Sequence, residues 1–194
     1  MKRIIIAIVI AALVLFGAAF GLQGVGQRNA QEEHLWLMKT LLPGSESFVL
    51  EPYAGEDANI RSVHKAENGY VIETVTQGYA DEITMFVGVN LEGKVTGLVV
   101  YDAHETLGLG SRALNDHVFL SQFLNESGSF AVATAGADAF SGATGETESA
   151  GDSLEVDGIT GATVTSKAIV RCVNSAVSYV TGADASSGAT SWGG

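Results

Sequence analysis

The sequence predicts an α+β fold: an antiparallel sheet flanked by helices, preceded by one apolar N-terminal helix. Three observations carry this expectation. Residues 69–102 hold consecutive short runs rich in Val, Ile, Thr and aromatic residues, separated by glycine-bearing turns, the pattern of hairpin-connected strands. Between 164 and 180, Ile169, Cys172, Val173, Ala176, Val177 and Val180 recur at i, i+3, i+4, i+7, i+8 and i+11, the apolar stripe of an amphipathic helix. Residues 4–27 contain no charged side chain, and about 20 apolar residues are enough to cross a bilayer.

The apolar segment sets the domain plan. Lys2 and Arg3 precede it, whereas Arg28 is offset by Glu32 and Glu33 just beyond it. The positive-inside rule then places the rest of the chain outside the cytoplasm, as a single-pass protein of the cell (inner) membrane. A cleaved signal peptide is the rival reading, with the small residues of "FGAAF" offering a cut after Ala19. Signal-peptide cores run about 7–15 residues, and this segment is longer, so residues 1–27 are read as a transmembrane anchor. Residues 28–44 form a juxtamembrane helix, with Leu35, Leu37, Met38, Leu41 and Leu42 at helical spacing and Pro43–Gly44 as its stop. We expect that helix to pack on its own domain, residues 45–181.

Within that domain, "GYVIETVTQG" (69–78), "EITMFVGVN" (82–90) and "KVTGLVVYD" (94–102) are read as strands of an antiparallel meander. "NLEGK" is a hairpin loop with Gly93 at a positive φ. "HVFLSQFL" (117–124) suits a short helix, and "SFAVAT" (129–134) and "LEV" (154–156) suit strands. Residues 135–152 shift to Gly, Ala, Ser, Thr and Glu, and are read as a flexible insert. The tail, 182–194, has the same character and is read as disordered.

Composition excludes several function classes. A net charge of −12 with only ten Lys and Arg residues argues against a nucleic-acid partner. The single cysteine, Cys172, excludes an intrachain disulfide and cysteine-based metal sites. It falls on the buried stripe of the C-terminal helix and is read as a small hydrophobe. His34, His64, His104 and His117 are scattered, and no catalytic triad or metal-ligand cluster emerges.

One heptad, Asp-x-x-(Ser/Thr)-Gly-Ala-Thr, occurs three times, ending at Thr144, Thr163 and Thr190. Only the middle copy, Asp157 to Thr163, stands between a strand-like run and an amphipathic helix. A helix start presents unpaired N–H groups and partial positive charge, which suits a phosphate. Gly161 and Ala162 leave the backbone open to a bulky group, and Asp157 either orients the loop or coordinates a cation during loading of a phosphorylated ligand. The alternative is plain: Thr163 or Thr165 is an N-cap, worth about 1 kcal/mol.

"DGITGATVTS" resembles the flavinylation motif of FMN-binding domains in the G subunit of the Rnf electron-transport complex and the C subunit of the sodium-pumping NADH:quinone reductase. A second stretch, "HETLGLG" (104–110), resembles that family's "HxETPGLG" loop beside the flavin, with Leu107 where proline is usual. The two motifs stand in the family's order and the resemblance covers roughly residues 1–181. It implies FMN bound covalently through a phosphoester to Thr163, with Thr165 as the fallback. Asp157, Thr160, Gly161, Ala162 and Thr165 then surround the attachment site. The loop residues His104, Glu105, Thr106, Leu107, Gly108, Leu109 and Gly110 face the cofactor, His104 being either a flavin contact or a surface residue. Tyr101 is read as a strand residue; Arg112 either balances flavin charge or lies at the surface.

The resemblance further implies an electron-relaying subunit of an ion-translocating ferredoxin:NAD oxidoreductase, with no substrate turnover of its own. Its partners are the other membrane subunits and an FAD-dependent FMN transferase for maturation. The alternatives are a free-standing extracytoplasmic FMN carrier or regulator, and a pilin-like structural protein.

Overall fold

The computed structural model describes residues 31–104, 109–133 and 153–182; of Leu109 and Arg112 it describes the backbone only. The expected transmembrane anchor (1–27), the 135–152 insert, Glu105 to Gly108, the tail beyond Gly182 and the two other heptads lie outside these residues. Among the described residues no helix is long and apolar enough to cross a membrane. The chain divides into two compact units at Leu37/Met38, and the second of these carries the sheet.

A helix, α1, occupies residues 31–41, and Gly44 (φ 89°) turns the chain out of it. Five strands follow: β1 (Val49–Glu51), β2 (Ile60–Ala66), β3 (Gly69–Gln77), β4 (Glu82–Asn90) and β5 (Val95–Ala103). They pair in sequence order, every neighbour antiparallel, so the expected meander is present and two N-terminal strands extend it. Gly93 has φ 80° in the β4–β5 hairpin, as predicted. Two short helices come next, α2 (Leu109–Asn115) and α3 (His117–Ser121), then β6 (Phe130–Ala133), β7 (Leu154–Asp157) and the long helix α4 (Thr163–Thr181). Strands β6 and β7 form a separate parallel pair.

The core lies between the sheet and α4. Ile72, Met85, Val87 and Val95 meet Ile169, Cys172, Val173 and Val177, all of them buried. The expected stripe on α4 is therefore the core face, although Val180 is only partly buried. Strand β4 is buried on both sides, and the chain at Leu41 covers the face away from α4. There Gly88 and Gly97, facing each other across β4 and β5, leave no room for a Cβ beneath the Leu41 backbone. Thr96 donates a hydrogen bond to the Leu41 carbonyl at 2.6 Å. Two glycines thus let a chain segment lie directly on the sheet.

Cys172 is wholly buried, its Sγ 3.5 Å from Thr76 Oγ1. Burial pushes the thiol up, against the opposing pull of Thr76 and Thr74. Alkylation of Cys172 near neutral pH is accordingly expected only after unfolding; mass spectrometry after iodoacetamide treatment, with and without denaturant, checks this. Rapid labelling of the native chain would contradict the packing described.

Candidate functional site

The heptad copy at 157–163 forms the link from β7 to α4. Gly161 adopts a left-handed φ of 81°, and the Ala162 N–H donates to the Ile159 carbonyl at 2.9 Å. This tight turn delivers Ala162 to the cap position of α4, where it makes no side-chain cap bond. The alternative reading, in which Thr163 or Thr165 caps the helix, does not hold: both lie inside it. The turn leaves the cap position to a residue with no acceptor side chain. Ser166, within the helix, holds the loop instead: its hydroxyl accepts the Ile159 N–H at 3.1 Å.

The two threonines differ sharply in exposure. Thr163, the first residue of α4, is exposed; Thr165 is 1% exposed and faces the core. Thr160 and Gly161 are exposed, Ala162 is buried, and the Asp157 side chain is at the surface. No acidic residue occupies the first turn of α4, so nothing there opposes an incoming anion.

Four residues that the sequence did not single out hold this loop and the small sheet before it. Gln122, just after α3, acts as a carboxamide clamp on Asp157: it accepts the Asp157 N–H at 2.7 Å and donates to the Asp157 carbonyl at 3.2 Å. Asn174 on α4 does the same for Phe130, at 2.9 Å in both directions. The small sheet is thus fastened at the first residue of β6 and the last of β7, by one amide each. Gly158 is the third: a Cβ there would lie 2.6 Å from Val132 Cγ1, so a side chain is excluded. The fourth is Ser166. The signal for Asn174 was a polar residue among apolar helix neighbours, but nothing in the sequence names its partner. Changing Gln122 to Ala is expected to cost about 1–2 kcal/mol, two hydrogen bonds at exposed backbone groups; thermal melting followed by circular dichroism measures it.

The second motif starts where β5 ends. Ala103 pairs with Ile83, next to the β3–β4 turn, and His104 follows, exposed, its Nδ1 3.8 Å from Asp102 Oδ1. The chain re-enters at α2, where Gly110, Ala113 and Leu114 are buried and the helix packs against α4. Strand β3 runs alongside α4 in the opposite sense: Tyr70 meets Tyr179, Thr76 donates to the Ala168 carbonyl, and Arg171 donates to the Gln77 carbonyl. The β3–β4 turn, the end of β5 and the first turns of α4 therefore share one end of the domain. The heptad is brought there, and so is His104, the first residue of the second motif. Tyr101 instead packs edge-on against Phe86 at 5.1 Å, as a strand residue. Glu105, Thr106, Leu107 and Gly108, and the side chains of Leu109 and Arg112, lie outside the described residues. Among the described residues no group of His, Cys, Asp and Glu is arranged to hold a metal.

Comparisons with known proteins agree with this layout. The FMN-binding domain family matches residues 78–178, which run from the β3–β4 turn through both motifs and most of α4. The G subunit of the Na(+)-translocating ferredoxin:NAD(+) oxidoreductase complex of Acetobacterium woodii is 34% identical over 110 residues, 56% of this chain and 47% of that protein. Its counterpart in the proton-translocating ferredoxin:NAD(+) oxidoreductase complex of Clostridium ljungdahlii is 32% identical over 112 residues, 58% and 53% of the two chains. The chain thus spans about half the length of these two relatives. The G subunit of the ion-translocating oxidoreductase complex of Methanosarcina acetivorans is 31% identical over 161 residues, covering 77% of this chain and 76% of that one. By these matches the chain belongs to the FMN-binding domain family, among the G subunits of Rnf-type ion-translocating oxidoreductase complexes.

Proposed function

We propose that this chain is a membrane-anchored flavoprotein subunit that relays electrons through FMN held by a phosphoester on Thr163, within an Rnf-type ferredoxin:NAD oxidoreductase complex. The observation that carries the reading is the exposure of Thr163 on the first turn of α4, directly after the left-handed Gly161. The residues present fit the group. A hydroxyl is offered to solvent beside N–H groups that no helical carbonyl takes, and two small residues, Gly161 and Ala162, precede it. No carboxylate stands in the first turn. Thr165, only 1% exposed, is a poor acceptor for a bulky phosphoester.

Bound FMN supplies one- and two-electron chemistry; the chain holds it and exposes it. Asp157, Thr160, Gly161 and Ala162 form the approach to the attachment point. The 104–110 loop, anchored at its ends by β5 and α2, is the segment proposed to face the ring system. Attachment by an FAD-dependent transferase joins Thr163 Oγ1 to the FMN phosphorus of FAD; the bond to AMP breaks and the hydroxyl proton leaves to a base of the transferase. A covalent tether suits a domain outside the cytoplasm, where released FMN would be lost. The partners of this reading are the other membrane subunits; its acidic surface favours basic patches on them.

The test is direct. The full chain, co-expressed with such a transferase, is run on a denaturing gel and examined for flavin fluorescence. Cleavage before Asp157 and after Lys167 gives a peptide whose fragment masses locate the adduct. A dark band despite active transferase, or an adduct on Thr144 or Thr190, overturns the assignment. Purification of the native chain free of polytopic subunits would favour a free-standing carrier instead.

A further inference from the structure

We propose that Lys167 is the residue that neutralises the phosphodiester carried on Thr163; the inference rests on the flavin reading above. The observation is an unspent positive charge in an acidic chain. Among the described side chains, the other lysines and arginines are each engaged. Lys39 holds Glu46, Arg61 lies beside Glu73 and Glu82, Lys65 holds Glu51, and Lys94 faces Glu92. Arg171 donates to the Gln77 carbonyl. Lys167 is exposed and its ammonium is held by no described residue.

Its position gives that charge a direction. Lys167 follows Thr163 by four residues in α4, so the two stand on one helix face about 5–6 Å apart at Cβ. Helical side chains lean toward the N-terminus, over the preceding turn. The lysine stem therefore carries its ammonium toward Thr163 rather than away from it. Thr163, Val164 and Lys167 are all exposed, so no packed side chain stands between the two groups on that face. A phosphodiester on Thr163 Oγ1 keeps one negative charge, and Lys167 adds a mobile point charge to the fixed partial charge of the helix start. In a chain of net charge −12, a local cation at this point also offsets the surrounding repulsion of the cofactor phosphate.

The test reads the lysine itself, not electron transfer. The full chain, prepared with and without its transferase, is treated briefly with acetic anhydride, and acetylation at each lysine is quantified by mass spectrometry. Lys94, paired with Glu92 at the surface, is the internal control. Flavinylation is expected to slow acetylation of Lys167 about fivefold relative to Lys94, the factor that roughly 1 kcal/mol of ion pairing provides. The protection should fade at molar salt, where exposed charges are screened; protection that persists there points to steric cover by the flavin and overturns the charge pairing. In flavinylated chains, Lys167→Gln should lower the fluorescence anisotropy of the tethered flavin and Lys167→Arg should preserve it. Equal acetylation of Lys167 in flavinylated and unmodified protein overturns the pairing while leaving the flavin assignment intact. Absence of the FMN mass from Thr163 overturns both.

Discussion

Thr163→Val is expected to abolish covalent flavin altogether, and Thr165→Val to leave it in place. Valine keeps the β-branched shape of threonine and removes only the hydroxyl. At the exposed first position of α4 that change should move stability by no more than about 0.5 kcal/mol, as surface substitutions generally do. Without an oxygen there is no ester, so fluorescence of the denatured band falls to background while the thermal transition stays where it was. Thr165 has the opposite balance. Its side chain is 1% exposed and engaged within the protein, so valine there costs about 1 kcal/mol and shows in the melting curve, not in the gel. A phosphoester at Thr165 would place a charge against the core, which is far more costly than losing a hydroxyl. A fluorescent Thr163→Val band, or a folded Thr165→Val chain without flavin, would move the attachment site.

How far this contrast was legible before the fold was known differs by element. The heptad and its following helix were readable because their signals are local: a glycine turn, then a 3.6-residue stripe. The β3–β5 meander was readable for the same reason, each strand being separated from the next by a glycine-bearing turn. Strands β1 and β2 were not. In "IRSVHKA" the charged and polar residues interrupt the apolar ones, and the register shifts between Ile60 and Ser62, so strict alternation is lost. Helix α2 opens at "LGS", and a glycine pair argues against a helix until Ala113 and Leu114 find a core to enter. The parallel pairing of β6 with β7 joins Phe130 to Leu154, residues too far apart for any local pattern to connect. The clamps by Gln122 and Asn174 are side-chain bonds to distant backbone, invisible to periodicity. For the site, this means that its motifs could be read locally, whereas the framework that positions the heptad could not.

That framework has a weak point at Phe123, and Phe123→Ala is expected to cost about 3–5 kcal/mol. The ring is fully buried, edge-on to Phe119 at 5.5 Å and to Phe130 at 5.2 Å. It thus joins α3 to the first residue of β6. Asp116 fixes the start of α3 by accepting the N–H groups of Val118 and Phe119. Beyond α3, Asn125 and Glu126 bond the backbone of Val95 at the start of β5. Truncation leaves a cavity between partners fixed from both sides, so little collapse can relieve it. The loss is a large share of the roughly 5–15 kcal/mol that holds a typical domain together, and should lower the melting temperature by roughly 10 °C or more. The functional consequence follows from the neighbouring residue. Gln122 carries the clamp on Asp157, so loosening this turn loosens the strand that presents Thr163. Flavinylation of Phe123→Ala should therefore fall along with stability, although Phe123 lies outside both motifs. Phe123→Leu separates the two effects: it refills much of the cavity, and recovery of both melting temperature and gel fluorescence shows that packing, not the ring itself, was required. If Phe123→Ala instead melts within a few degrees of the parent chain, the small sheet must be held mainly by its amide clamps and by α4. In that case Asn174→Ala, not Phe123→Ala, becomes the variant in which the attachment site comes apart.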